Sequence, residues 1–225
     1  MSVASAVLGF ARRQPSAILL AVQLGGLLLY PFMEDREVGR SLFSAFGILV
    51  LALVVLAVRS SPAFTWIGVA LGAPATVLLV IQAITRTDTL LPYSSALEAV
   101  LYFYAAGALI AYMVGDHEVT RDELYAVGAT FTLVAWGFAY LFVVVQAVAP
   151  GTFAGTGDPE ADRTWMELLF LSFTTLSSTG LSDVVPVRPF GRAVVMIEQI
   201  AGVAYVAMVV SRLVGLMVVR GARPR

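Results

Sequence analysis

Apolar stretches recur along the chain, interrupted by short clusters of charged residues, Pro and Gly. A hydrocarbon layer about 30 Å thick needs roughly 20 apolar residues per helix, and the interruptions fall at close to that interval. Six membrane-length helices are predicted: Ser16 to Met33, Ser41 to Val58, Ala63 to Ile84, Pro92 to Val114, Arg121 to Val148 and Val187 to Val219, with the first two near the short limit. Short polar connections join the first five. The fifth and sixth are separated by nearly forty residues that include Pro150, Gly151, Gly155, Gly157 and Pro159.

That insertion has internal order. After a polar, Gly-rich opening it presents Thr164, Trp165, Met166, Glu167, a capping box in which the Thr side chain and the Glu three residues on satisfy each other's free amides at a helix start. Leu168, Leu169, Phe170, Leu171 and Phe173 continue the helix, but only about ten residues remain before Ser177, Ser178, Thr179 and Gly180. Such a helix reaches partway across a bilayer and is expected to be re-entrant. Backbone that leaves a helix at membrane depth is tolerated only where protein buries it or water meets it, so Thr174 to Asp183 are expected to line an aqueous path. The fold class is therefore an all-α membrane protein, six transmembrane helices with a re-entrant half-helix and loop between the fifth and sixth. A second capping box, Thr120 with Glu123, starts the fifth helix.

Composition agrees with a lipid environment: of 225 residues, 59% are hydrophobic and 13% charged, too apolar for a water-soluble globule. Net charge is −1, all fourteen cationic residues are Arg, and Cys is absent, so nucleic-acid partners, disulfides and Cys-based metal sites are not expected. One loop His, His117, and the absence of any paired polar constellation make catalysis improbable as well. Arg12 and Arg13 precede an apolar run, but Tyr30, Pro31, Phe32, Met33 offer no small-residue cleavage site, so the run is expected to stay as a first helix. With six spans, eight Arg lie on the side of the termini and six opposite. Arg12, Arg13, Arg220, Arg223 and Arg225 favour cytoplasmic ends, while the loop of Asp116, His117 and Glu118 is acidic and decides nothing. A voltage sensor needs several basic residues at three-residue spacing on one helix, and Pro92 to Val114 has none. The six residues after Val219 leave no cytoplasmic ligand-binding domain to expect. Glu98 and Glu198 fall inside predicted membrane helices, where an ionisable group is expensive, and either function or hydrogen-bonded packing accounts for them.

The stretch Phe170 to Pro186, FLSFTTLSSTGLSDVVP, resembles the pore helix, filter and outer mouth of tetrameric potassium channels, whose filter runs Thr-Val-Gly-Tyr-Gly-Asp. On that pattern Ser178 takes the Thr position, Thr179 the Val, Gly180 the first Gly, Leu181 the Tyr, Ser182 the second Gly and Asp183 the Asp. Gly202 lies at the spacing of the family's inner-helix hinge, and Val210 to Leu216 is similar to the inner-helix end of small bacterial channels. The resemblance covers about 100 residues, Arg121 to Val219.

It implies a pore domain over 121–225, with a four-helix domain over 1–120. It further implies a pore helix bearing Thr164, Trp165, Glu167, Thr174 and Thr175, and potassium ions, the only ligands expected, held at Ser178, Thr179, Gly180 and Leu181. It implies a homotetramer in the cell membrane with no soluble partner domain. Glu167 has the capping box as its simpler role, Asp183 an outer-mouth role, and Gly202 either a hinge or close packing. The filter departs from the pattern at two places. Leu181 lacks the hydroxyl that a Tyr would use to brace the loop. On the family's backbone path Ser182 would sit at positive φ, where a non-Gly residue costs roughly 1 to 2 kcal/mol; either the surrounding subunits absorb that cost or the upper filter takes a different shape. Alternatives are a non-selective cation channel, a non-conducting regulatory subunit, or a component like the Trk/Ktr transporters, whose four loops per chain contrast with one here.

Overall fold

A computed structural model describes residues 14–30, 37–59, 63–85, 87, 89–115, 120–156 and 161–221, with side chains throughout except at 37–45, 59, 213 and 216–221. Arg12, Arg13, Pro31 to Met33, the loop of Asp116, His117 and Glu118, Gly157, Pro159, Arg223 and Arg225 lie outside the described residues. Helices α1 (Pro15–Leu29), α2 (Glu37–Arg59), α3 (Thr65–Thr85), α4 (Leu91–Val114) and α5 (Arg121–Val148) are followed by strand β1 (Phe153–Ala154). Helix α6 (Trp165–Leu176), strand β2 (Val185–Pro186) and helix α7 (Pro189–Gly221) complete the order.

Among the described residues the protein is all-α apart from this two-residue strand pair, and each of the six predicted membrane segments falls on a helix. Among the described residues, four helices are long and apolar enough to cross a membrane: α3, α4, α5 and the Pro189–Arg212 part of α7. Helix α1, at 15 residues, reaches only about 22 Å at 1.5 Å per residue. The apolar stretch of α2 with described side chains is Phe46–Val58.

Helices α4 and α5 form the centre. Small residues on both, Ala99, Ala105 and Ala106 on α4 and Ala129 and Ala139 on α5, are buried in one cluster and let the two backbones approach closely. Tyr102, Leu133 and Leu169 fill the space around them. Thr120 caps α5 by accepting from Glu123 N at 3.2 Å. Helix α1 runs alongside α5: the main-chain N and the hydroxyl of Ser16 both donate to the Asp122 carboxylate, at 3.1 and 2.9 Å, and Tyr30 meets Trp165 with ring centroids 5.6 Å apart.

Candidate functional site

The insertion leaves the bundle and returns to the same end of it. Strand β1, just after α5, pairs antiparallel with β2, just before α7, matching Phe153 with Pro186 and Ala154 with Val185, and Val187 N donates to Thr152 O at 2.9 Å. This clasp holds the exit of α5 beside the entry of α7. From it, α6 descends: its 12 residues cover about 18 Å, too little for a 30 Å layer. Its last residue, Leu176, packs against Gly202 of α7. Gly202 lies thirteen residues past Pro189, a depth of about 20 Å. The loop from Ser177 to Val184 then climbs back to the clasp.

The start of α6 is fixed as its sequence suggests. Glu167 N donates to Thr164 Oγ1 at 3.3 Å and Thr164 N donates to Glu167 Oε2 at 2.6 Å, so both halves of the capping box are made. Glu167 also lies 3.7 Å from the Arg163 guanidinium. Its carboxylate is thus engaged at the helix start. Trp165 joins an aromatic cluster with Trp136 at 5.3 Å and Tyr140 at 5.6 Å between ring centroids. One feature not predicted is a reciprocal pair that moors α6 to α5: Arg163 N donates to Gln146 Oε1 at 3.1 Å, and Gln146 Nε2 donates to Arg163 O at 2.9 Å. A lone Gln near the end of an apolar helix was the available signal.

The main-chain oxygen of Thr174 organises the loop. It accepts from Thr179 N at 2.9 Å, Gly180 N at 3.1 Å and Thr179 Oγ1 at 3.3 Å, while Ser178 N donates to Thr175 O at 3.0 Å. To make these bonds the chain turns through left-handed backbone at Ser178, φ 61°, and at Gly180, φ 65°. Ser177 to Leu181 are exposed in the single chain, Leu181 at 76%. Among the described residues, no hydrogen bond is made to the carbonyl oxygens of residues 177–182. Asp183 sits at the clasp end, where its carboxylate accepts from Thr156 Oγ1 at 3.3 Å. Thr174 and Thr175 are buried behind the loop, 6% and 7% exposed.

The expectation for Ser182 is corrected. Among the described residues the non-Gly residue at positive φ is Ser178, because Thr174 O draws in the two amides that follow it. Ser182 instead uses its hydroxyl, which accepts from Val184 N at 3.0 Å. Ser182→Gly is therefore expected to remove a hydrogen bond and add backbone freedom, and to destabilise the folded protein by about 1 kcal/mol. A thermal melt checks it, and a higher midpoint for the variant counts against this backbone path.

On α7, Glu198 is fully buried and hydrogen-bonded to the Ser172 hydroxyl of α6. Gly202 is the point of closest approach: a Cβ there would lie 2.1 Å from Leu176 O. Farther along, Tyr205 OH donates to Val127 O at 2.6 Å and Arg212 pairs with Glu123 at 3.0 Å. Glu98, 1% exposed, lies on α4 facing Tyr140, and is not brought to the loop. Among the described residues no group of three or more His, Asp or Glu is placed to hold a metal.

No curated protein and no solved structure matches the chain. A family described as "Ion channel" matches residues 127–219, a segment that takes in most of α5, the clasp, α6, the loop and most of α7. Residues 127–219 are thus similar to an ion channel domain, a likeness consistent with the potassium-channel pore-loop family.

Proposed function

We propose that the protein is a passive cation channel, with potassium the favoured ion, assembled as a homotetramer. Each chain would span the cell membrane six times with both termini in the cytoplasm, and α6 and its loop would re-enter from outside. The observation that carries this reading is the row of carbonyls at residues 177–182, unclaimed among the described residues, which starts about 20 Å below the clasp at the end of α6 and climbs back to it. Backbone polar groups at that depth need partners. Ions stripped of water supply them if several copies surround one axis. One loop cannot enclose an ion, and closed rotational symmetry brings the others. The carboxyl end of α6 adds the negative end of its dipole there. Helix α7 supports the same arrangement, because Ile197, Ile200, Val203, Val206, Val210 and Val214 are exposed at three- and four-residue spacing, an apolar stripe available to line a shared axis.

A second reading, a non-selective cation channel, is favoured by one feature. Left-handed backbone occurs at Ser178 and Gly180 but not at Ser182, so the upper loop follows a different path from a filter with two glycines. Flux into liposomes under separate potassium and sodium gradients distinguishes the two, with potassium expected to pass well ahead of sodium. Native mass measurement in nanodiscs is expected to give four copies. A stable monomer or dimer, or an assembled protein that passes no cation, would overturn the proposal.

A further inference from the structure

Behind the loop, a single hydroxyl holds three helices together. Ser172 Oγ of α6 lies 2.8 Å from Ala135 O of α5 and within hydrogen-bonding distance of Glu198 Oε1 of α7. All three residues are at most marginally exposed, Ser172 and Glu198 at 0%. A serine hydroxyl has one proton to give and lone pairs to accept with. If Glu198 were a carboxylate, its oxygen and the Ala135 carbonyl would compete for that one proton. If Glu198 is the neutral acid, it donates to Ser172 Oγ, whose own proton goes to Ala135 O, and both contacts are satisfied. No cation is paired with Glu198 among the described residues, and an unpaired buried charge is costly.

The position of this contact gives it reach. Ser172 is two residues before Thr174, whose carbonyl holds Thr179 and Gly180. Four residues beyond Ser172, Leu176 meets Gly202, which is four residues beyond Glu198. Helix α7 therefore grips α6 at two points one turn apart, and the second is the last helical residue before the loop. A shift of α6 on α7 moves Thr174 O and the amides bound to it.

We propose that Glu198, as a neutral carboxylic acid, is a positioning residue that sets the pore helix against the inner helix and thereby fixes the loop geometry on which ion preference depends. The inference rests on the channel reading of this segment. It predicts that hydrogen-bonding capacity matters at 198 and charge does not. Glu198→Gln keeps a donor and an acceptor in the same shape, while Glu198→Leu keeps the volume and removes both. Ser172→Ala removes the hydroxyl alone.

The test compares these three variants with wild type in liposomes, measuring the potassium-to-sodium flux ratio together with amide hydrogen exchange across residues 172–184. Glu198→Gln is expected to hold the ratio within about twofold, and Glu198→Leu and Ser172→Ala to lower it by about tenfold. Faster exchange at the end of α6 is expected in the last two only. Should Glu198→Leu fail to fold, Ser172→Ala and Glu198→Gln carry the comparison. The proposal is overturned if Gln disturbs the ratio and exchange as much as Leu does, or if Ser172→Ala leaves both unchanged. A folded wild type without cation flux overturns the channel reading and the selectivity role with it, and the exchange data then decide separately whether Glu198 clamps α6.

Discussion

Gly180→Ala is expected to abolish cation flux while the protein still assembles, and Thr174→Ala is expected to be much milder. Within one chain nothing lies within 4 Å of a Cβ built on Gly180, so crowding inside the subunit is not the reason. The backbone is: Gly180 has φ 65°, where a residue with a side chain pays roughly 1 to 2 kcal/mol. In the proposed tetramer the cost is repeated at each symmetry-related copy. A shift to ordinary helical or extended φ would avoid it, but would break the bond from Gly180 N to Thr174 O, 3.1 Å, and turn the adjoining carbonyls. Four methyl groups near a common axis would add an obstacle. Thr174 matters to the loop through its main-chain oxygen, which Ala retains. Its hydroxyl donates back to Leu171 O at 2.9 Å, within its own helix. The measurement is liposome flux with native mass on the same preparations. Unchanged flux in a tetrameric Gly180→Ala protein would place the ion path elsewhere.

The amino-acid sequence was most informative where chemistry is local. Helix α5 begins at Arg121 and ends at Val148 as expected, because Thr120 caps one end and Pro150 and Gly151 follow the other. The capping box at Thr164 and Glu167 set the start of α6, and Gly180 stands at positive φ. Contacts between distant residues were less legible. The Gln146–Arg163 pair, the Ser172 stitch and the β1–β2 clasp join positions that local rules do not relate, and Ser172 looks like an ordinary small polar residue in an apolar helix. The strained serine was misplaced for a related reason. Likeness to a two-glycine filter points to Ser182, whereas the turn is set by Thr174 O collecting two amides, which puts the left-handed residues at Ser178 and Gly180. Helices α1 and α2 had lengths near the limit in sequence, and α1 is too short to meet a membrane span by length alone.

Gly202→Ala is expected to lower the thermal stability of the assembly and to disturb flux together. A Cβ at this position would lie 2.1 Å from Leu176 O, 2.9 Å from Leu176 C and 3.0 Å from its Cα. These are main-chain atoms at the end of α6, and no rotamer change can move them aside. Restoring ordinary contact distances requires a displacement on the order of 1 Å between α6 and α7. Overpacking of this kind costs about 1 to 3 kcal/mol per site, and a 1 Å shift at Leu176 reaches Thr174 and the loop it holds. A hinge role for Gly202 predicts the opposite sign for stability, since Ala favours a continuous helix over Gly by roughly 0.5 to 1 kcal/mol, and α7 runs unbroken through this position. Gly107→Ala on α4 is the control: it is exposed with nothing within 4 Å of its Cβ, and it should be neutral or slightly stabilising. A Gly202→Ala assembly that melts at or above the wild-type temperature while its flux changes would favour the hinge. A lower melting temperature, with Gly107→Ala unaffected, would tie the glycine to the close approach of α6 and α7.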